Sequence, residues 1–140
     1  MSKIGFISFR LGRTDGVSIV ASHWMRACRE LGHEICTIAG EEPADFVLPG
    51  LAIDASVPPN TDDIEASLRD LDLVVVENLL TIPLNLKASL LVAEALRGRP
   101  AILHHHDPPW QRDRFAHVTE LPVDDPAWRH VTINETTAAE

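Results

Sequence analysis

The chain is predicted to be an α/β protein: a doubly wound, mostly parallel Rossmann-like sheet with helices on both faces. Three observations predict it. Short apolar runs alternate with helical patterns along the 140 residues. The opening runs strand, glycine-bracketed turn, amphipathic helix and strand, which is a βαβ unit. The third strand-like run, Leu73 to Val76, is apolar throughout, as a strand covered on both faces should be.

The elements follow in order. Lys3 to Phe9 is the first predicted strand, and Arg10 to Gly16 the turn. Gly12 is free to take positive φ, and Gly16 permits close approach to the backbone. Val17 to Leu31 is a helix with Asp15 as N-cap and Gly32 as its stop. Val17, Val20, Ala21, Trp24, Cys28 and Leu31 form its sheet-facing stripe. Glu34 to Ala39 is the second strand.

Gly40 to Pro59 is irregular, with a short edge strand expected near Leu51 to Ile53. Asp62 to Arg69 is a short helix capped by Thr61. Leu86 to Leu96 is a helix ended by Gly98. Strands are expected to begin at Pro100 to Leu103 and at Arg129 to Ile133. Glu135 to Glu140 has the pattern of a helix start, with Asn134 as its cap. The length accommodates one domain, residues 1–140, with a real core.

Net charge is −9, which argues against nucleic acid or an anionic membrane surface as partner. Cys28 and Cys36 lack C-x-x-C spacing and read as buried thiols in a reducing compartment. Ile4 to Phe9 is too short for a signal peptide, and no run is long enough to span a membrane. The expected location is cytoplasmic.

Three segments follow strand ends, at residues 10–16, 77–85 and 104–114. A parallel sheet gathers them on one edge, where α/β sheets bind ligands. The first lacks both G-x-G-x-x-G and G-x-x-x-x-G-K-[ST], so it is either an anion-facing helix start or a plain tight turn. In the third, His104 and His106 share one strand face while His105 points away. A metal reading takes His104, His106 and Asp107 as ligands, but no completing partner stands out, and no metal is assigned. The preferred reading is a polar site whose imidazoles hydrogen-bond hydroxyls or phosphate oxygens; the plainer one is a solvated or capping group. Trp110 is a stacking platform for a sugar or an anchor of its own loop. Gln111, Arg112 and Arg114 are ligands of a phosphate or an acidic acceptor, or solvated surface residues. Glu77 and Asn78 hold hydroxyls or cap a turn.

These residues resemble a known family. FISFRLGRTDGVSIVASHWMRACRELGHEICTIAG is similar to the start of family 4 glycosyltransferases of the GT-B fold, with Leu31-Gly32-His33 at their step into the second strand. VVVENLLTIPLN and AILHHHDPPWQRDRF are similar to acceptor-side loops of the same lobe, and HVTINE to the strand before the linking helices. The resemblance implies an N-terminal, acceptor-side lobe of a retaining hexosyltransferase that uses a nucleotide sugar and needs no metal or other cofactor. The acceptor is a sugar, lipid or small molecule.

By position, it places His104, His106 and Asp107 near the reacting carbon as catalytic residues. Gly12, Asp15 and Gly16 face the donor diphosphate, and Glu77, Asn78, Trp110 and Arg112 bind the acceptor. The family's donor-lobe pair of glutamates has no counterpart in the sequence. The lobe is therefore expected to be incomplete at its C-terminus, to depend on a C-terminal donor lobe, and to be inactive alone. The alternatives are a small flavodoxin-like or nucleotide-binding module without catalysis, and a truncated product with no function.

Overall fold

The computed structural model describes residues 2–12, 14–80, 84–106 and 125–132. Six parallel strands form one sheet: β1 (Lys3–Ile7), β2 (Glu34–Ala39), β3 (Phe46–Val47), β4 (Leu73–Glu77), β5 (Ala101–His105) and β6 (Trp128–Thr132). Their order, β3-β2-β1-β4-β5-β6, is that of a Rossmann-like fold. The strand order reverses between β1 and β4. A crevice opens there at the carboxyl ends of the strands.

Helices cover both faces. On one side, α1 (Gly16–Glu30) packs Ala21 and Met25 against Ile4, Phe6 and Val75. On the other, α2 (Thr61–Leu68) and α3 (Leu86–Leu96) bury Ile64, Leu68, Val92 and Leu96 with Ile7, Ile38, Val76 and Leu103. The two faces alternate residue by residue along each strand, as the pleat requires. No described helix is long and apolar enough to cross a membrane.

Capping explains most helix boundaries. Asp15 accepts from Ser18 N at 3.2 Å, as expected of an N-cap. For α2 the cap is Asn60 rather than Thr61: its Oδ1 accepts from Asp62 N at 2.7 Å and Asp63 N at 3.3 Å. Thr61 thereby becomes the first helical residue. Gly32 and Gly98, at φ +91° and +74°, follow the ends of α1 and α3.

Two expectations are corrected. The edge strand is Phe46–Val47, and Pro49–Leu51 is a 3₁₀ turn. Asp45 sets that register by exchanging bonds with Thr37: Thr37 N donates to its carboxylate at 2.9 Å, and Asp45 N donates to Thr37 Oγ1 at 2.8 Å. Pro49 then has no N–H to continue a ladder. The sheet-facing stripe of α1 holds at Ala21, Trp24 and Cys28, is joined by the buried Ser18 and Met25, and fails at Leu31, which is 76% exposed.

Asn85 ties the irregular segment to α3. Its Oδ1 caps Ala88 N at 3.3 Å, and its Nδ2 donates to Gly50 O at 2.9 Å and Ala52 O at 2.8 Å. Gly40 lies so close to the backbone of Leu51 and Ala52 that a Cβ would collide with it. Asn85→Ala is expected to cost about 1–2 kcal/mol, read from the urea midpoint, through loss of the cap. Asn85→Asp, which keeps the capping oxygen but loses both donors, should fall between the variant and the parent. A parent-like midpoint for both would show that the bridge carries no stability.

Candidate functional site

The site forms where β4 and β5 end. Register pairs Glu77 with His104 across these strands. Both side chains lie on the face covered by α1, and His106 continues the same side one step beyond β5. The Glu77 carboxylate is fully buried and is held by two imidazoles. His104 Nδ1 lies 3.2 Å from Oε1 and 3.0 Å from Oε2, and His106 Nε2 lies 2.9 Å from Oε2. Trp24 stacks on His104 with ring centroids 4.2 Å apart. Burial alone raises the Glu77 pKa, but the hydrogen bonds and positive character of the two histidines outweigh it and hold the carboxyl below its ordinary value.

Asn78 sits immediately after β4 in the left-handed region, at φ 64°. Asparagine tolerates that conformation better than most residues. The turn aims its Oδ1 at His106 N, which donates at 3.0 Å. Its own N–H donates to His104 O at 2.9 Å. Ser8 Oγ donates to Glu77 O at 2.7 Å and ties the end of β1 to that of β4.

These residues border a cleft of about 570 Å³ at the switch point, lined by Ser8, Phe9, Arg10, Asp15, Gly16, Val17, Val20, Ile53, Asn78, Leu84 and His106. A second depression of about 610 Å³ lies away from the histidines, along Gly40, Pro49, Pro58 and Asn60.

Of the residues singled out from sequence, Asp15, Gly16, Asn78 and His106 meet in the cleft. Glu77 and His104 lie behind them, reaching the cleft through His106. Gly12 is apart: it has the expected positive φ, 68°, but lies in a separate hollow against Pro43. Asp107, Trp110, Arg112, Gln111, Arg114 and Asn134 lie outside the described residues. Asp15 places its own carboxylate on Ser18 N and Ser18 Oγ in the first turn of α1. Its pKa is raised by burial but brought below the ordinary value by Ser18 and by Arg10, whose Nε is 3.4 Å away. One of the orphan amides at this helix start is therefore satisfied from within the chain.

Three features were missed from sequence. Glu77 completes the ligand set that the metal reading lacked: Glu77, His104 and His106 bring their ligating atoms within 4.8 Å of one another. Only strand register shows it. Val17 and Val20, assigned to the sheet-facing stripe, instead border the cleft. His105, on the opposite face of β5, pairs with His130 of β6 at 2.7 Å and stacks on it at 5.0 Å. The apolar-to-polar change at Ser8 was the one local signal for the wall of the cleft. Burial pushes the thiols of Cys28 and Cys36 up.

No family model matches the chain. Among curated proteins it is similar to the mannosylglucosylglycerate synthases of Petrotoga mobilis (25% identical over 148 residues, 84% of this chain and 34% of the relative) and Thermotoga maritima (27% over 172 residues, 94% and 40%). The chain thus spans roughly a third to two-fifths of the length of these relatives. The likeness is a distant homology to these two synthases.

Proposed function

We propose that residues 1–140 form the acceptor-side lobe of a retaining GT-B glycosyltransferase of family 4, which moves a sugar from a nucleotide-sugar donor to a hydroxyl of a small acceptor. The observation that carries this reading is the similarity to the two synthases across most of the chain. A cleft at the switch point of the sheet, where α/β folds bind ligands, supports an acceptor site there. Asn78 and His106 hold its hydroxyls, and Glu77 and His104 support His106 from behind. Gly16 and Arg10 form the wall facing the donor diphosphate, and a second lobe supplies the remaining contacts. The lobe's task is orientation of the attacking hydroxyl. Catalysis of transfer requires both lobes and no resident metal.

The test is a mass-spectrometric assay for a glycosylated product. Nucleotide-mannose and nucleotide-glucose are the donors and glucosylglycerate the acceptor. It is run on residues 1–140 alone and on these residues joined to the C-terminal part of the Thermotoga maritima relative. Product from the joined protein only is expected, with His106→Ala lowering its rate about a hundredfold. Turnover by residues 1–140 alone would overturn the reading, as would a folded joined protein without product.

A further inference from the structure

We propose that Glu77 is a positioning residue that fixes neutral His106 in its Nε2–H tautomer. The cleft is thereby offered a hydrogen-bond acceptor at Nδ1 and selects a hydroxyl donor over an anionic oxygen.

An ionised carboxylate only accepts. Glu77 is 0% exposed, and the two groups on its carboxylate are the ring nitrogens of His104 and His106. Each of those nitrogens must therefore carry the shared proton. His106 then has Nε2–H, and its remaining ring nitrogen, Nδ1, carries a lone pair. That nitrogen has no partner among the described residues. No buried side-chain nitrogen or oxygen among them lacks a partner, so Nδ1 retains access to solvent. His106 is one of the residues lining the cleft.

The ring cannot swap roles at low cost. Rotating it to place Nδ1 on Glu77 would break the 2.9 Å bond, while His106 N is pinned separately by Asn78 Oδ1 at 3.0 Å. His104 cannot take over, because its Nδ1 bonds the same carboxylate and Trp24 covers its ring. A metal ion is a weaker reading of the same cluster. Histidine ligands normally donate their second ring nitrogen to an outer acceptor. Neither His104 nor His106 has such a partner among the described residues. The selectivity follows from charge. At Nδ1 itself, a lone pair backed by a buried carboxylate attracts an O–H donor and disfavours an anionic oxygen, while Arg10, paired with Asp15 at 3.4 Å, lines another part of the cleft.

The use of Nδ1 in sugar transfer rests on the reading above; the tautomer does not. The experiment is nitrogen NMR of protein labelled with ¹⁵N at its histidine rings, the His106 signals being identified by their loss in His106→Asn. In its neutral form, His106 is expected to show a protonated Nε2 and an unprotonated Nδ1. Inorganic phosphate at constant pH and ionic strength should leave both unmoved.

In Glu77→Gln, the carboxamide offers one acceptor and one donor to two rings. A share of either His104 or His106 should then change tautomer, while His23 and His33 keep their signals. A Nδ1–H form in the parent would overturn the proposal. So would saturable phosphate binding at His106, stoichiometric uptake of zinc by both histidines, or a folded Glu77→Gln protein with both tautomers unchanged. If Glu77→Gln fails to fold, the parent spectrum and the phosphate titration decide alone. A correct tautomer in a protein that transfers no sugar would refute the transfer reading and leave this one standing.

Discussion

Glu77→Ala is expected to destabilise the protein by about 3–5 kcal/mol, the largest effect of any single polar substitution in the site. The figure has two sources. Two buried ring N–H groups lose their acceptor, at about 1–3 kcal/mol each, and the missing fully buried side chain leaves a void. A domain of this size is stable by only about 5–15 kcal/mol, so the variant should melt far below the parent. Glu77→Gln keeps the volume and one acceptor, and should cost about 1–3 kcal/mol. Urea denaturation at neutral pH separates the two. A loss below about 1 kcal/mol for alanine would show that water satisfies the histidines as well as the carboxylate does. The same bonds make the site acid-sensitive. A carboxyl held below its ordinary 4.5 contributes stability that is complete above that value and is lost as pH falls through the folded-state pKa.

How far the sequence reached depends on the range of the interaction that decides each feature. α3 was legible at both ends, since Leu86 to Leu96 is an unbroken apolar pattern and Gly98 stops it locally. The split of His104 and His106 from His105 followed from the period of a strand alone. The partner of the histidines did not. Glu77 lies 27 residues from His104, and only the register of β4 against β5 brings them together. Trp24 on His104 is equally remote, because the placement of α1 over the sheet decides it.

The part of the α1 stripe that was misassigned has a different cause. Ser18 is buried because Asp15 satisfies both its backbone N and its hydroxyl, the latter at 2.8 Å, so a polar residue takes a core position. That turns Val17 and Val20 toward the cleft. The edge strand failed for a similar reason. Its position is set by the exchange between Asp45 and Thr37, which no apolar pattern records.

The second large effect lies on the other face of β5, where stability is expected to fall by about 3 kcal/mol between pH 6.5 and pH 4 through His105 alone. Burial, chiefly, and then the neighbouring His130, His104 and His106 push its pKa from 6.5 down to about 4. Between these values the unfolded chain binds a proton at this ring and the folded chain does not, so unfolding takes up protons and stability drops as pH falls. Above 6.5 the ring is neutral in both states and contributes no slope. The window lies above that of Glu77, whose carboxyl titrates below 4.5, so the two losses come in sequence on acidification.

His105→Phe separates them. The ring still packs on His130 between β5 and β6, but it cannot take a proton. The variant loses the 2.7 Å bond to His130, an exposed residue that water can satisfy, and should be slightly weaker than the parent at pH 7. Its denaturation midpoint should then stay nearly level down to pH 4.5, while that of the parent falls, and the two curves should cross. Parallel curves over this range would place the acid sensitivity elsewhere and return His105 to an ordinary titration.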